Sequence, residues 1–97
     1  MITIEKEINN NLATLRLAGW LDTQTSSDLE SELESLENNI ESLTLDLEKL
    51  EYISSAGLRQ IVSAHKKMNG KLTIKNVSSE IMDLFKMTGF DKRLHIE

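Results

Sequence analysis

The chain has 97 residues and a net charge of −5, and it contains no cysteine. Its length predicts one small domain, residues 1–97, and the absence of cysteine excludes disulfides and thiolate metal sites. The acidic balance argues against a nucleic acid partner. No apolar run reaches the roughly 20 residues of a membrane span and no signal pattern is present, so we expect a cytoplasmic protein with no membrane partner.

The first part of the chain predicts a β-hairpin followed by a helix. Apolar residues alternate through 2–8 and 12–18, and the three asparagines between these segments favour a tight turn, because asparagine tolerates the left-handed backbone region. In the helix that follows, Ser27 and Glu30 match a capping box. Its apolar residues recur at the helical period. They are Leu29, Leu33, Leu36 and Ile40.

The second part predicts strands that alternate with helices. The expected strands are 43–47, 72–75 and 94–96, and the expected helices are 58–68 and a third that begins at Ser78 or Ser79 and ends at Gly89. The element order is therefore β-β-α-β-α-β-α-β, which predicts an α/β fold. A small mixed β-sheet, with one antiparallel hairpin and parallel strands joined by right-handed crossovers, would be covered by helices.

The most informative segment lies between the third strand and the second helix. Ser54, Ser55 and Gly57 stand where the strand passes into the helix. A helix N-terminus carries unpaired N–H groups and a positive partial charge. A serine there can cap the helix, hold an anion or carry a phosphate, and capping is its commonest role.

Three segments in order resemble the STAS domain, the family of bacterial anti-sigma factor antagonists and of sulfate-transporter tails. They are Gly19-Trp20-Leu21-Asp22, Leu45-Asp46-Leu47 and Ser54-Ser55-Ala56-Gly57-Leu58. The third is similar to the family signature Asp-Ser-[Ser/Thr/Ala]-Gly-Leu, with Ser54 in place of the aspartate. The resemblance covers nearly the whole chain and implies the STAS fold.

The resemblance also implies a function. Ser55 matches the family's phospho-acceptor serine, and Asp22 matches an acid close to the acceptor in space. The implied partner is an anti-sigma factor that is also a serine kinase; it phosphorylates the antagonist and thereby ends the binding. A PP2C-type phosphatase would reset this control of sigma-factor-dependent transcription. The chain itself would be a protein-binding phosphoprotein, not an enzyme, with no cofactor or metal of its own.

We expect the phosphate to be received by the N–H groups from Gly57 onward, and Ser54 is a second candidate acceptor. The expected partner-binding residues are Trp20, Asp22, Gly57, Leu58, Arg59 and Val62. Leu58 and Val62 fit the core equally well, and Trp20 fits either a partner contact or ordinary packing.

Three alternatives remain open at this stage. The first is a STAS subunit of another signalling or transport complex in which the serine is never phosphorylated, and the serine at position 54 favours this alternative. A small nucleotide-binding domain is a second. A small enzyme using Asp22 and Ser55 is the third, but no histidine or lysine is positioned in the sequence to act as a base for Ser55.

Overall fold

A computed structural model describes residues 1–97 and contains five strands, three α-helices and one 3-10 helix. Strands β1 to β5 are Ile2–Asn9, Leu12–Leu21, Ser42–Ile53, Leu72–Lys75 and His95–Ile96. Helices α1 to α3 are Ser26–Glu34, Ser55–Lys67 and Ser79–Thr88, and the 3-10 helix is Phe90–Lys92. The predicted α/β class and the predicted order of the elements are confirmed.

The five strands form one mixed sheet in the order β1-β2-β3-β4-β5. β1 is antiparallel to β2, and each later strand is parallel to the one before it. Asn10 closes the hairpin with a φ of 57°, in the left-handed region that the asparagine run predicted. Because parallel crossovers are right-handed and the strands follow chain order, all three helices lie on one face of the sheet.

The helix-facing side of the sheet is apolar, and the opposite side is polar and open. Alternate residues of β2 and β3 are buried against the helices. They are Ala13, Leu15, Leu17, Leu43, Leu45 and Leu47. On the open side, Glu5, Arg16, Asp46 and Lys75 are paired in register across four strands. This charged row alternates in sign from one strand to the next.

Helix α1 differs from the prediction at both ends. It begins at Ser26, and Ser27 does not cap it: the Ser27 hydroxyl donates to the Gln24 carbonyl oxygen at 3.2 Å. The helix ends at Glu34. Leu36 and Ile40, which the prediction placed in it, therefore lie beyond its end, where both are half-buried. The Ser35 hydroxyl donates to the Glu32 carbonyl oxygen at 2.8 Å, a local bond that competes with further helix.

Strand β3 is longer than predicted, and α2 begins three residues earlier than predicted, at Ser55. Past Leu47 the buried residues of β3 are Leu50 and Ile53, three apart. This spacing departs from the alternation of buried and exposed residues that predicts a strand. It arises because the register between β2 and β3 shifts twice in this stretch. Leu12, the first residue of β2, is 38 % exposed, whereas Leu15 and Leu17 are buried.

Candidate functional site

The candidate site lies where β2 and β3 end side by side and α2 begins. Leu21 and Ile53, the last residues of the two strands, are paired in register. The next residue, Ser54, donates its backbone N–H to the carbonyl oxygen of Leu21 at 2.8 Å. This bond fixes the start of α2 to the end of β2.

The N-cap of α2 is Ser54 and not Ser55. Ser54 has extended backbone angles, and its hydroxyl oxygen accepts a hydrogen bond from the Gly57 N–H at 3.2 Å. Its carbonyl oxygen accepts from the Leu58 N–H at 2.9 Å. Ser54 is half-buried and its hydroxyl is engaged in this cap, whereas Ser55 is exposed and its hydroxyl has no hydrogen-bond partner. Ser54 thus performs the capping role that is commonest for a serine at this position, and the expected acceptor Ser55 does not.

The capping arrangement also determines which N–H groups stay free. We expected the N–H groups from Gly57 onward to face an anion, but Ser54 already pairs those of Gly57 and Leu58. The backbone N–H groups of Ser55 and Ala56 have no acceptor within the chain. They are therefore the free donors at the positive end of α2.

Gly57 and Leu58 are buried, which corrects their expected role as partner contacts. A Cβ atom on Gly57 would lie 2.7 Å from the Leu21 carbonyl oxygen and 2.9 Å from Cγ1 of Ile53. Only glycine allows α2 to approach the strands this closely. Leu58 is 4 % exposed and belongs to the core. Both residues hold the loop in position from the inside.

Asp22 stabilises the turn between β2 and α1. Its Oδ1 accepts hydrogen bonds from the backbone N–H groups of Thr25 and Gln24, both at 3.0 Å. The Thr25 N–H, and with it that of Gln24, holds the pKa of the Asp22 carboxyl below its ordinary value, although partial burial acts in the opposite direction. The buried Thr25 hydroxyl in turn donates to the carbonyl oxygen of Trp20 at 2.7 Å. Asp22 thus orders the turn that adjoins the Ser54–Ser55 loop.

An exposed aromatic pair stands on the two strand ends beside this loop. Trp20 and Tyr52 are paired in register, with ring centroids 5.2 Å apart and ring planes 44° apart. Trp20 is 51 % exposed and Tyr52 is 44 % exposed. Large exposed aromatic rings at one location are typical anchors of protein interfaces.

Arg59 and Val62 lie on α2 beyond the loop. Arg59 is exposed, forms no ion pair, and follows Ser55 by one helical turn. Val62 is half-buried, so it belongs partly to the surface, whereas the adjacent Ile61 is fully buried. The structure thus brings Trp20, Asp22, Ser55 and Arg59 to one end of the sheet and leaves each of them accessible.

Two residues at this site escaped the sequence reasoning. Tyr52 was visible as an aromatic residue before the serines, but its contact with Trp20 depends on a shifted strand register that alternation does not reveal. Thr25 is the only buried polar residue of the chain, and its hydrogen bonds to Trp20 and Asp22 connect the two ends of the turn. The Asp-x-x-Thr spacing in this turn is the one signal that pointed to it.

Comparison with known proteins agrees with this fold. The family model of the STAS domain matches residues 3–97. The chain belongs to the STAS-domain family. Over 91 aligned residues, the chain is 29 % identical to the anti-sigma-B factor antagonist of Bacillus subtilis. The alignment covers 91 % of this chain and 84 % of that protein.

Solved structures show the same STAS fold. A crystal structure of an anti-sigma factor antagonist from Mycobacterium paratuberculosis superimposes with a TM-score of 0.88 and 20 % identity, over 99 % of this chain and 85 % of that one. The phosphorylated form of the Bacillus cell fate determinant SpoIIAA gives a TM-score of 0.76 and 15 % identity, over 98 % and 91 % of the two chains. No helix of this STAS domain is long and apolar enough to cross a bilayer.

Proposed function

We propose that this STAS domain is a cytoplasmic anti-sigma factor antagonist that controls sigma-factor-dependent transcription. It binds an anti-sigma factor with serine kinase activity, and phosphorylation of Ser55 ends that binding. One observation carries the proposal: the Ser55 hydroxyl is exposed and unbonded, while Ser54 supplies the helix cap. The relatives named as anti-sigma factor antagonists support it, and so does the existence of SpoIIAA in a phosphorylated form.

The chain is the substrate of this chemistry and not the enzyme. The Ser55 oxygen attacks the γ-phosphorus of an ATP held by the partner, the new oxygen–phosphorus bond forms, and the bond to ADP breaks. The serine proton passes to a base of the partner, because the chain has no histidine or lysine beside Ser55. A PP2C-type phosphatase restores the serine by hydrolysis. No cofactor or metal of the chain takes part.

The phosphate can be received without rearrangement of the fold. It brings about −1.5 to −2 charges to the positive end of α2, where the N–H groups of Ser55 and Ala56 are free. Arg59 lies four residues further along the same helix, the spacing at which an anion and a cation pair. We expect these three groups to hold the phosphate while the packing around Gly57 stays unchanged.

Release then follows from repulsion at the interface. A kinase that holds a nucleotide presents phosphate groups close to the acceptor serine. A second phosphate at Ser55 adds like charge there, and like-charge juxtaposition at an interface costs several kcal/mol. Capture of Arg59 by the phosphate also removes a cation from the docking surface.

Position 54 decides between this function and one alternative. Aspartate and serine are both strong N-caps, so Ser54 preserves the geometry of Ser55 that the family's aspartate would give. Ser54 lacks the charge, however, that would help to position a hydroxyl or a metal of the kinase. This favours, as the second candidate, a STAS subunit of another signalling or transport complex that is never phosphorylated.

The deciding experiment is intact-mass analysis after incubation with the co-encoded kinase and ATP. We expect wild type and the control Ser54→Ala to gain the mass of one phosphoryl group, and Ser55→Ala to gain none. Phosphorylation that persists in Ser55→Ala and disappears in Ser54→Ala would transfer the acceptor role to Ser54. An unmodified wild-type chain would favour the subunit of another complex.

A further inference from the structure

A groove of about 250 Å³ runs along the flank of α2 that faces away from α1. Helix α2 forms one wall of this basic groove, and the segment that begins with the 3-10 helix forms the other. The lining residues are Arg59, Val62, Ser63, Lys66, Phe90 and Arg93. The first four are spaced 0, 3, 4 and 7 along α2, so they form a single stripe of two helical turns.

The cations of the basic groove have no acidic partner within the chain. Arg59, Lys66 and Arg93 are exposed and take part in none of the ion pairs of the structure. The Arg93 guanidinium stays near the groove because it lies 5.8 Å from the centroid of the Phe90 ring. In a chain with a net charge of −5, three unpaired cations around one groove form a local positive surface.

The other flank of α2 shows the contrast. There Gln60 contacts Glu30 of α1 at 3.5 Å, and the Lys67 ammonium donates to the Leu33 carbonyl oxygen at 2.7 Å. Polar groups on that side are therefore satisfied by α1. On the side of the basic groove no acidic group of the chain pairs with the cations, so their positive charge is available to a second molecule.

The dimensions of the basic groove indicate what fits it. Arg59 and Lys66 are seven residues apart, which is about 10 Å along the helix axis. A peptide in the extended polyproline II conformation advances about 3.1 Å per residue with three residues per turn, so carboxylates three residues apart lie on one face and span roughly 9 Å. Between the cations, Val62 and Phe90 offer half-buried apolar surface for one apolar side chain.

We propose that the basic groove binds an extended acidic segment of the partner protein, with two carboxylates three residues apart and an apolar residue between them. This deepens the proposed function, because the partner is the anti-sigma factor whose kinase site reaches Ser55. Since Arg59 borders both Ser55 and the groove, the acidic segment would lie directly next to the phosphorylated serine.

The test is an NMR titration of the ¹⁵N-labelled chain with a capped synthetic peptide, Gly-Glu-Leu-Ser-Glu-Gly, at low ionic strength. We expect saturable shifts confined to the groove residues, and their loss when both glutamates are replaced by glutamine. Substituting Arg59→Gln and Lys66→Gln together should weaken binding about tenfold, since the two exposed ion pairs with the peptide carboxylates are removed. The control Lys49→Gln removes an exposed cation from the open side of the sheet and should change nothing.

Several outcomes would overturn the proposal. These are no shifts, shifts outside the groove, equal shifts with the glutamine peptide, or equal weakening by Lys49→Gln. Tighter binding of single-stranded oligothymidylate of the same charge would assign the groove to nucleic acid instead. The titration involves neither the kinase nor the Ser55 hydroxyl, so its failure leaves the phosphorylation proposal intact, and an unphosphorylated Ser55 leaves the titration result intact.

Discussion

Replacing Gly57 by alanine is the sharpest test of how the loop is held. The added Cβ would lie 2.7 Å from the Leu21 carbonyl oxygen and 2.8 Å from Leu21 Cγ, closer than real Cβ contacts allow. That oxygen also accepts the Ser54 N–H at 2.8 Å, so α2 can move away only by straining this bond. Overpacking costs about 1–3 kcal/mol, and a clash with a backbone oxygen that is held in place lies in the upper part of that range, at about 2–3 kcal/mol; the helix propensity of alanine returns about 1 kcal/mol. We expect a net destabilisation of about 1–2 kcal/mol.

Urea denaturation followed by the fluorescence of Trp20, the single tryptophan, measures this change next to the site. The corresponding drop in Tm is about 4 to 16 °C for a domain of this size. Ala56→Gly is the matched control, because it alters helix propensity in the same turn without adding an atom. If Gly57→Ala proves as stable as wild type or more stable, propensity and not close packing governs this position, and the reasoning is refuted.

Three further predictions concern the surface of the site. Ser55→Asp should weaken binding to the kinase partner more than a hundredfold, while Ser55→Ala should leave it nearly intact; equal affinities in calorimetric titrations would contradict the electrostatic account. Trp20→Ala should weaken the same binding more than tenfold and lower the free energy of unfolding by only about 1 kcal/mol, the contribution of its contact with Tyr52, whereas a large loss of Tm with unchanged affinity would assign the ring to the core. The pKa of Asp22 is lowered in the folded state, so its carboxylate stabilises the fold above the ordinary value of 3.8 and this contribution is lost as the pH falls through the lower folded value. The stability difference between wild type and Asp22→Ala in urea should therefore shrink in acid, and a difference that grows in acid would reverse the sign of the shift.

The sequence predicted the order of elements because the local signals agreed with one another. The asparagine run marked the hairpin, Ser78 and Gly89 marked the ends of α3, and 72–75 alternated as a strand should. The prediction of β3 stopped short at Leu47, because the buried residues beyond it follow the shifted pairing with β2 and not the alternation of an isolated strand. Register is a tertiary property, and composition alone does not contain it.

The sequence pointed to the loop that carries the candidate site, but it did not show which of the two serines caps α2. Either serine satisfies the statistics of an N-cap, and only the backbone path from Leu21 through Ser54 decides that the first one caps and the second stays free. Likewise, Gly57 and Leu58 matched a functional signature, yet both act through packing. The basic groove was invisible because Phe90 and Arg93 reach α2 from the far end of the chain.

The charged row on the open side of the sheet explains how a sheet of mostly parallel strands persists with a single layer of helices. Parallel sheets are normally covered by helices on both faces, and both faces of their strands are then apolar. Partial burial raises the pKa of the Asp46 carboxyl, but hydrogen bonds from the Asn76 amide and the Glu48 N–H outweigh it, and the pKa lies below its ordinary value. Arg16 and Lys75, which flank Asp46, add a smaller attraction in the same direction. Arg16 also pairs with Glu7 at 3.0 Å and Lys75 with Glu97 at 3.9 Å, so this face carries charges of both signs that favour exposure to water over a second helical layer.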